Sequence, residues 1–148
     1  MRRLLLGVAL PLLSPAIGQG QSVAPFEPLS THVARFSEDS LGVTRYVARR
    51  CAALYALAAG LSQSRSPDLA ESLQQHVASF LALSVAIDKE LGSSYEEAIE
   101  ATEVSVSDIG ELYRERARSH MARTGTYFAS DSLVEDDMAV CRALVEKH

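Results

Sequence analysis

From residue 39 onward, apolar residues recur at three- and four-residue steps, the spacing of one face of an α-helix, and no stretch shows a convincing strand alternation. The first long segment starts at Asp39 or Ser40, either of which can cap, and runs to about Leu61. Val43, Val47, Cys51, Leu54, Ala58 and Leu61 share one of its faces, and a short helical turn over His32 to Phe36 precedes it. After the break "SQSRS", the second segment has the clearest start in the chain. Ser66 caps, Pro67 fits the first helical position and Asp68 meets the positive end of the helix dipole. Its seam is Leu69, Leu73, Val77, Phe80, Ser84, Ile87 and Leu91, and Gly92 is its stop.

The third segment opens at "SSYEEAIE", where Ser93 with Glu96, or Ser94 with Glu97, makes a capping box. Tyr95, Ile99, Thr102, Val106, Ile109, Tyr113, Ala117 and His120 or Met121 line one face. The run "VSVSDIG" is rich in weak helix formers and predicts a kink or short interruption before the helix ends near "RTGTY". The fourth segment follows "ASDS", with Ser130 or Asp131 as cap, an apolar stripe of Val134, Met138, Cys141 and Leu144 or Val145, and Lys147 at the end a cation favours. Four amphipathic helices with short polar connections predict an all-α domain over 32–148, an up-down-up-down four-helix bundle.

The N-terminal "MRRLLLGVALPLLSPAIGQG" has a different design. Two arginines precede ten apolar-core positions from Leu4 to Leu13, and small residues follow at Ala16 and Gly18. That is the layout of a secretory signal peptide over 1–18, cleaved before Gln19 or, next best, Gln21. Residues 19–31, "QGQSVAPFEPLST", hold two prolines and no periodicity, and predict an extended leader, either laid over the bundle through Phe26 or mobile. The apolar run "CAALYALAAGL" is only eleven residues long, short of a membrane span. The expected location is the periplasm or the extracellular space.

Composition narrows the partners. The chain of 148 residues carries a formal charge of −5, and without Arg2 and Arg3 twelve basic residues face nineteen acidic ones. With no basic cluster to offset phosphate repulsion, nucleic acid and anionic lipid are excluded as partners. About 130 residues suit one domain with one core.

The only two cysteines sit in "CAAL" at 51–54 and "CRAL" at 141–144, each on an apolar stripe of a different helix. In an antiparallel bundle the first and last helices are neighbours, so an exported chain is expected to join Cys51 to Cys141 as a structural disulfide. Neither cysteine has the C-x-x-C setting at a helix start that lowers a thiol pKa for redox work.

Chemistry-bearing motifs are sparse. His32, His76, His120 and His148 form no H-x-x-H, H-x-x-x-H or H-E-x-x-H pair, and no C-x-x-C-H attaches haem. The candidate cofactor ligands are His76, His120 and Met121, as His76 with Met121 or His120 with Met138 from different helices of a haem-binding bundle. His120 and Met121 project about 100° apart and do not ligate one iron together. The bland alternative has both histidines satisfied at the edge of the seam. Glu96, Glu97, Glu100, Glu103 and Glu111, with "VEDDMA" adding Glu135, Asp136 and Asp137, read as dipole partners and a solvated face, since no E-x-x-H ligand motif accompanies them. Arg114, Arg116, Arg118 and Arg123 read as a solvated face balanced by Glu111 and Glu115. No nucleophile elbow or phosphate loop is present. The expectation is an exported, non-enzymatic helical-bundle protein without cofactor or metal, serving as an interaction or envelope accessory module whose partner is an envelope or secreted protein. The alternative is a small-molecule or haem carrier using the bundle interior.

Overall fold

The computed structural model describes residues 26–36 and 40–147. They form five α-helices and no strand: α1 (Leu29–Arg35), α2 (Leu41–Ser62), α3 (Pro67–Glu90), α4 (Tyr95–Thr124) and α5 (Ser132–Lys147). The four long helices fall on the four predicted segments. The short α1 raises the count from four to five, and it opens at Leu29, inside the stretch predicted to be extended. The expected signal peptide over 1–18 and the first part of the leader lie outside the described residues.

Local chemistry sets the helix ends. At the start of α4 the Ser94 amide donates to Glu97 Oε2 at 2.8 Å and the Glu97 amide donates back to Ser94 Oγ at 3.3 Å, the reciprocal capping box. Asp131 Oδ1 accepts the amides of Leu133 and Val134, both at 3.2 Å, and so caps α5. Ser40 and Ser66 occupy the cap positions of α2 and α3 without a side-chain hydrogen bond. Gly125 closes α4 with φ 75°, a left-handed conformation that costs glycine little.

α4 runs unbroken from Tyr95 to Thr124, so no interruption occurs at "VSVSDIG". Propensity is a weak prior, and here Ile109 and Gly110 are buried within the weak run and Thr102 and Tyr113 on either side of it, so packing keeps the helix continuous through it.

α2 is the central element. It packs most extensively on α3, then on α4, and also touches α5. Its Ala/Leu run is apolar all round and is buried nearly all round, at Val47, Ala48, Cys51, Ala52, Ala53, Leu54, Tyr55 and Ala59. The alanines let neighbouring helices approach closely. Phe80, Ile109, Tyr113, Leu133 and Val134 complete the core. The predicted seams hold in mid-helix but not at the ends. Leu69, Leu91, Tyr95 and Met121, all near helix ends, are exposed.

Candidate functional site

Cys51 of α2 and Cys141 of α5 form a disulfide with a Cα–Cα distance of 5.5 Å, both residues fully buried. Because α1 precedes α2, the bond joins the second and last helices rather than the first and last. Beside it lies a polar cluster. Arg50, adjacent to Cys51, has no solvent contact, and neither has Asp137 of α5. Arg50 Nη2 donates to Asp137 Oδ2 at 2.7 Å, and its Nε reaches the same oxygen at 3.1 Å and the Tyr113 hydroxyl at 3.0 Å. Nη1 donates to the Tyr46 hydroxyl at 3.2 Å, and Tyr113 donates to Asp137. The Phe26 ring covers the guanidinium, its centroid 3.9 Å from Cζ. Burial alone would penalise the Arg50 charge, but the Tyr113 oxygen and the Asp137 carboxylate outweigh it and raise its pKa. Burial pushes the Tyr113 hydroxyl well above its ordinary value; Arg50 opposes the shift and Asp137 adds to it.

This cluster explains α1. Seven residues make a marginal helix, and its cap position is Pro28, which offers no side-chain acceptor. α5 supplies the acceptors instead. The Leu29 amide donates to Asp137 Oδ1 at 2.8 Å, and the Ser30 amide and hydroxyl donate to Asp136 at 2.9 and 2.6 Å. Leu29 is fully buried in the core, and Phe26 meets Tyr113 edge-on at 5.0 Å. Of the acids of "VEDDMA", expected on a solvated face, Glu135 is exposed, whereas Asp136 is a half-buried cap and Asp137 a buried ion-pair partner.

A second cluster joins α2, α3 and α4. Asp88, buried at the end of α3, accepts from Arg45 Nη1 at 2.6 Å and from Arg49. Arg49 Nε donates to Ser84 Oγ at 2.9 Å, and Ser84 meets Thr102 at 2.9 Å. Arg116 holds Asp131 bidentately at 2.8–3.0 Å. Burial opposes ionisation of Asp131, but Arg116 and the Val134 and Leu133 amides outweigh it and keep its carboxyl below the usual range. Of the arginines read as a solvated face, Arg116 therefore anchors a helix start, while Arg114 and Arg118 pair with Glu111 and Glu115 at the surface.

The candidate ligands His76, His120 and Met121 stand in different settings. His120 is buried, its Nδ1 bonded to the Thr126 carbonyl at 2.9 Å and near Thr124 Oγ1 at 3.0 Å, where it clips the turn after α4. Met121 is exposed beside it, and Met138 packs against the core. His76 meets Tyr55 edge-on at 6.0 Å and lines a groove of about 320 Å³ with Phe80, Leu83, Leu144 and Val145. Measured from the level of the Ser84–Thr102 contact, His76 and His120 lie roughly 12 Å and 27 Å along their helices at 1.5 Å per residue. Among the described residues no three His, Cys, Asp or Glu side chains cluster to hold a metal ion.

The surface offers larger concavities. One, about 520 Å³, runs along the outer side of α4 between Tyr46 and Glu97, Glu100, Ala101, Val104, Asp108 and Ile109. Val104 and, one turn beyond Asp108, Leu112 are 56% and 42% exposed. None of the described helices is long and apolar enough to cross a membrane. No protein-family model matches the sequence, and neither the curated proteins nor the solved structures provide a match.

Proposed function

We propose that this protein is an exported, non-enzymatic scaffold that binds another envelope or secreted protein through the exposed side of α4. We read α2–α5 as the four members of an up-down-up-down bundle, joined by short connections, with α1 as an added strap. The observation that carries the reading is the contrast between a locked interior and unspent apolar surface. Inside, a disulfide and a fully buried ion pair occupy the space where a carrier would keep its ligand. Outside, Val104 and Leu112 of α4 stand exposed, with Glu100 and Asp108 beside Val104. The disulfide supports an oxidising compartment, as the N-terminal signal pattern does.

The carrier reading rests on the groove beside His76, which is lined by Phe80, Leu83, Leu144 and Val145 and opens to the surface. Native mass spectrometry of the protein isolated from its own envelope separates the two. A partner chain at near-equal stoichiometry supports the scaffold. A bound small molecule, or a Soret band abolished by His76→Ala, supports the carrier. A bare monomer contradicts both.

A further inference from the structure

The groove along α4 has a floor and a rim of different chemistry. Tyr46, Ala101, Val104 and Ile109 form an apolar floor, and Glu97, Glu100 and Asp108 form the rim, with no lysine or arginine lining it. Leu112 extends the apolar strip by another turn. From Glu97 to Leu112 the strip lies on one uninterrupted helix and spans about 22 Å at 1.5 Å per residue, four turns of helix. Among the described residues, Glu100 and Asp108 take part in no ion pair. Asp88, Asp131 and Asp137 are buried against arginines, and Glu111 and Glu115 pair with Arg114 and Arg118 at the surface.

We infer that this groove binds a basic amphipathic helix of the partner protein, its apolar side chains on Ala101, Val104 and Leu112 and its lysine or arginine heads over Glu97, Glu100 and Asp108. The inference rests on the scaffold reading above and names the partner surface. Charge complementarity selects the occupant. A second copy docked symmetrically on the same face would set carboxylates against carboxylates, because a two-fold contact uses the same patch twice. Phosphate-bearing surfaces are repelled for the same reason. A helix fits better than a strand, since α4 presents no free backbone edge, and the small Ala101 and Ser105 allow close approach of a second helix. The apolar floor supplies affinity, and the carboxylates supply orientation and association rate.

The test titrates the oxidised, full-length mature chain into a fluorescein-labelled synthetic helix of about 18 residues, five turns, with leucine on one face and lysine on its flanks. Saturable binding read by anisotropy is expected, weakened about tenfold or more by the pair Glu100→Lys/Asp108→Lys and likewise by Val104→Asp. The pair Glu71→Lys/Glu146→Lys changes net charge equally away from the groove, and is expected to leave binding within about twofold. All five positions are exposed, so circular dichroism melts should match the wild type. Equal weakening by both charge-reversal pairs, or equal binding of a peptide with glutamate in place of lysine, overturns the inference. In-cell cross-linking separates its failure from that of the scaffold reading. A partner captured equally by wild type and by Glu100→Lys/Asp108→Lys removes the groove and keeps the scaffold. A wild-type chain that captures nothing removes both.

Discussion

Arg50 and Asp137, 87 residues apart in sequence, meet without solvent contact at 2.7 Å, one residue from one half of the disulfide and four from the other. The two links are of different kinds. The disulfide acts chiefly by restricting the unfolded chain, whereas the ion pair orders four segments at once: α2 through Arg50, α4 through Tyr113, α5 through Asp137, and α1 through the Leu29 amide. A buried pair is weak support for stability taken whole, because desolvation offsets attraction, but removing one partner strands the other.

The first prediction follows from that asymmetry. Asp137→Ala is expected to destabilise by about 3–5 kcal/mol, since it leaves the Arg50 charge buried and unpaired. Arg50→Met/Asp137→Leu is expected to destabilise less than Asp137→Ala alone. Urea unfolding of the wild type, Arg50→Met, Asp137→Leu and the double variant closes the cycle and measures the coupling. Additive effects would show that the two residues act independently.

The disulfide closes a separation of 90 residues, for which the chain-entropy account gives roughly 4.6 kcal/mol. Cys51→Ala/Cys141→Ala is therefore expected to lower the urea midpoint strongly. Amide exchange should also rise first in α5, which packs on α2 far less extensively than α3 does. Uniform loss of protection across α3 and α5 would contradict this.

Gly110 lies inside an uninterrupted helix, and a Cβ built there meets only the Arg114 guanidinium, at 3.5 Å, an ordinary contact with the flexible end of a side chain. Gly110→Ala should then stabilise by about 0.5–1 kcal/mol through helix propensity and a less entropic unfolded chain. A thermal melt shows the sign directly, and a lower Tm would mean that α4 needs the glycine for close packing.

Asp131 is held below its ordinary carboxyl value of 3.8 in the folded state. A depressed folded pKa gives stability that is complete above the unfolded value and is lost as pH falls through the folded one. Acid unfolding should therefore steepen below about pH 4, and Asp131→Asn should flatten that limb while lowering stability at neutral pH. Identical acid limbs in both proteins would contradict the Arg116–Asp131 pairing.

Much of the helical order was legible because its causes are local. The Ser94–Glu97 box, Pro67 at the start of α3 and Gly125 after α4 each act within one turn. The Cys51–Cys141 bond was legible because each of the only two cysteines stands on the apolar stripe of its helix. The Arg50–Asp137 cluster is non-local, yet a register signal existed. Arg50 is three residues from Val47 and four from Leu54, and Asp137 is three from Val134 and four from Cys141, so both sit on the buried stripe. Two charges of opposite sign on facing apolar stripes point to each other. α1 was legible only in its second half, as the short turn read over His32 to Phe36; its start at Leu29 was not, because its cap comes from another helix. Nor did the groove, since whether Val104 and Leu112 face solvent depends on which neighbours α4 acquires.

The intact mass of the protein recovered from outside the cytoplasm tests the central claim, an exported and covalently tied scaffold, most directly. The account predicts a chain beginning at Gln19 or Gln21 and lighter by two hydrogens than its reduced form, with Cys51 and Cys141 in one linked peptide. A chain retained in the cytoplasm with residues 1–18 in place and two free thiols would contradict it.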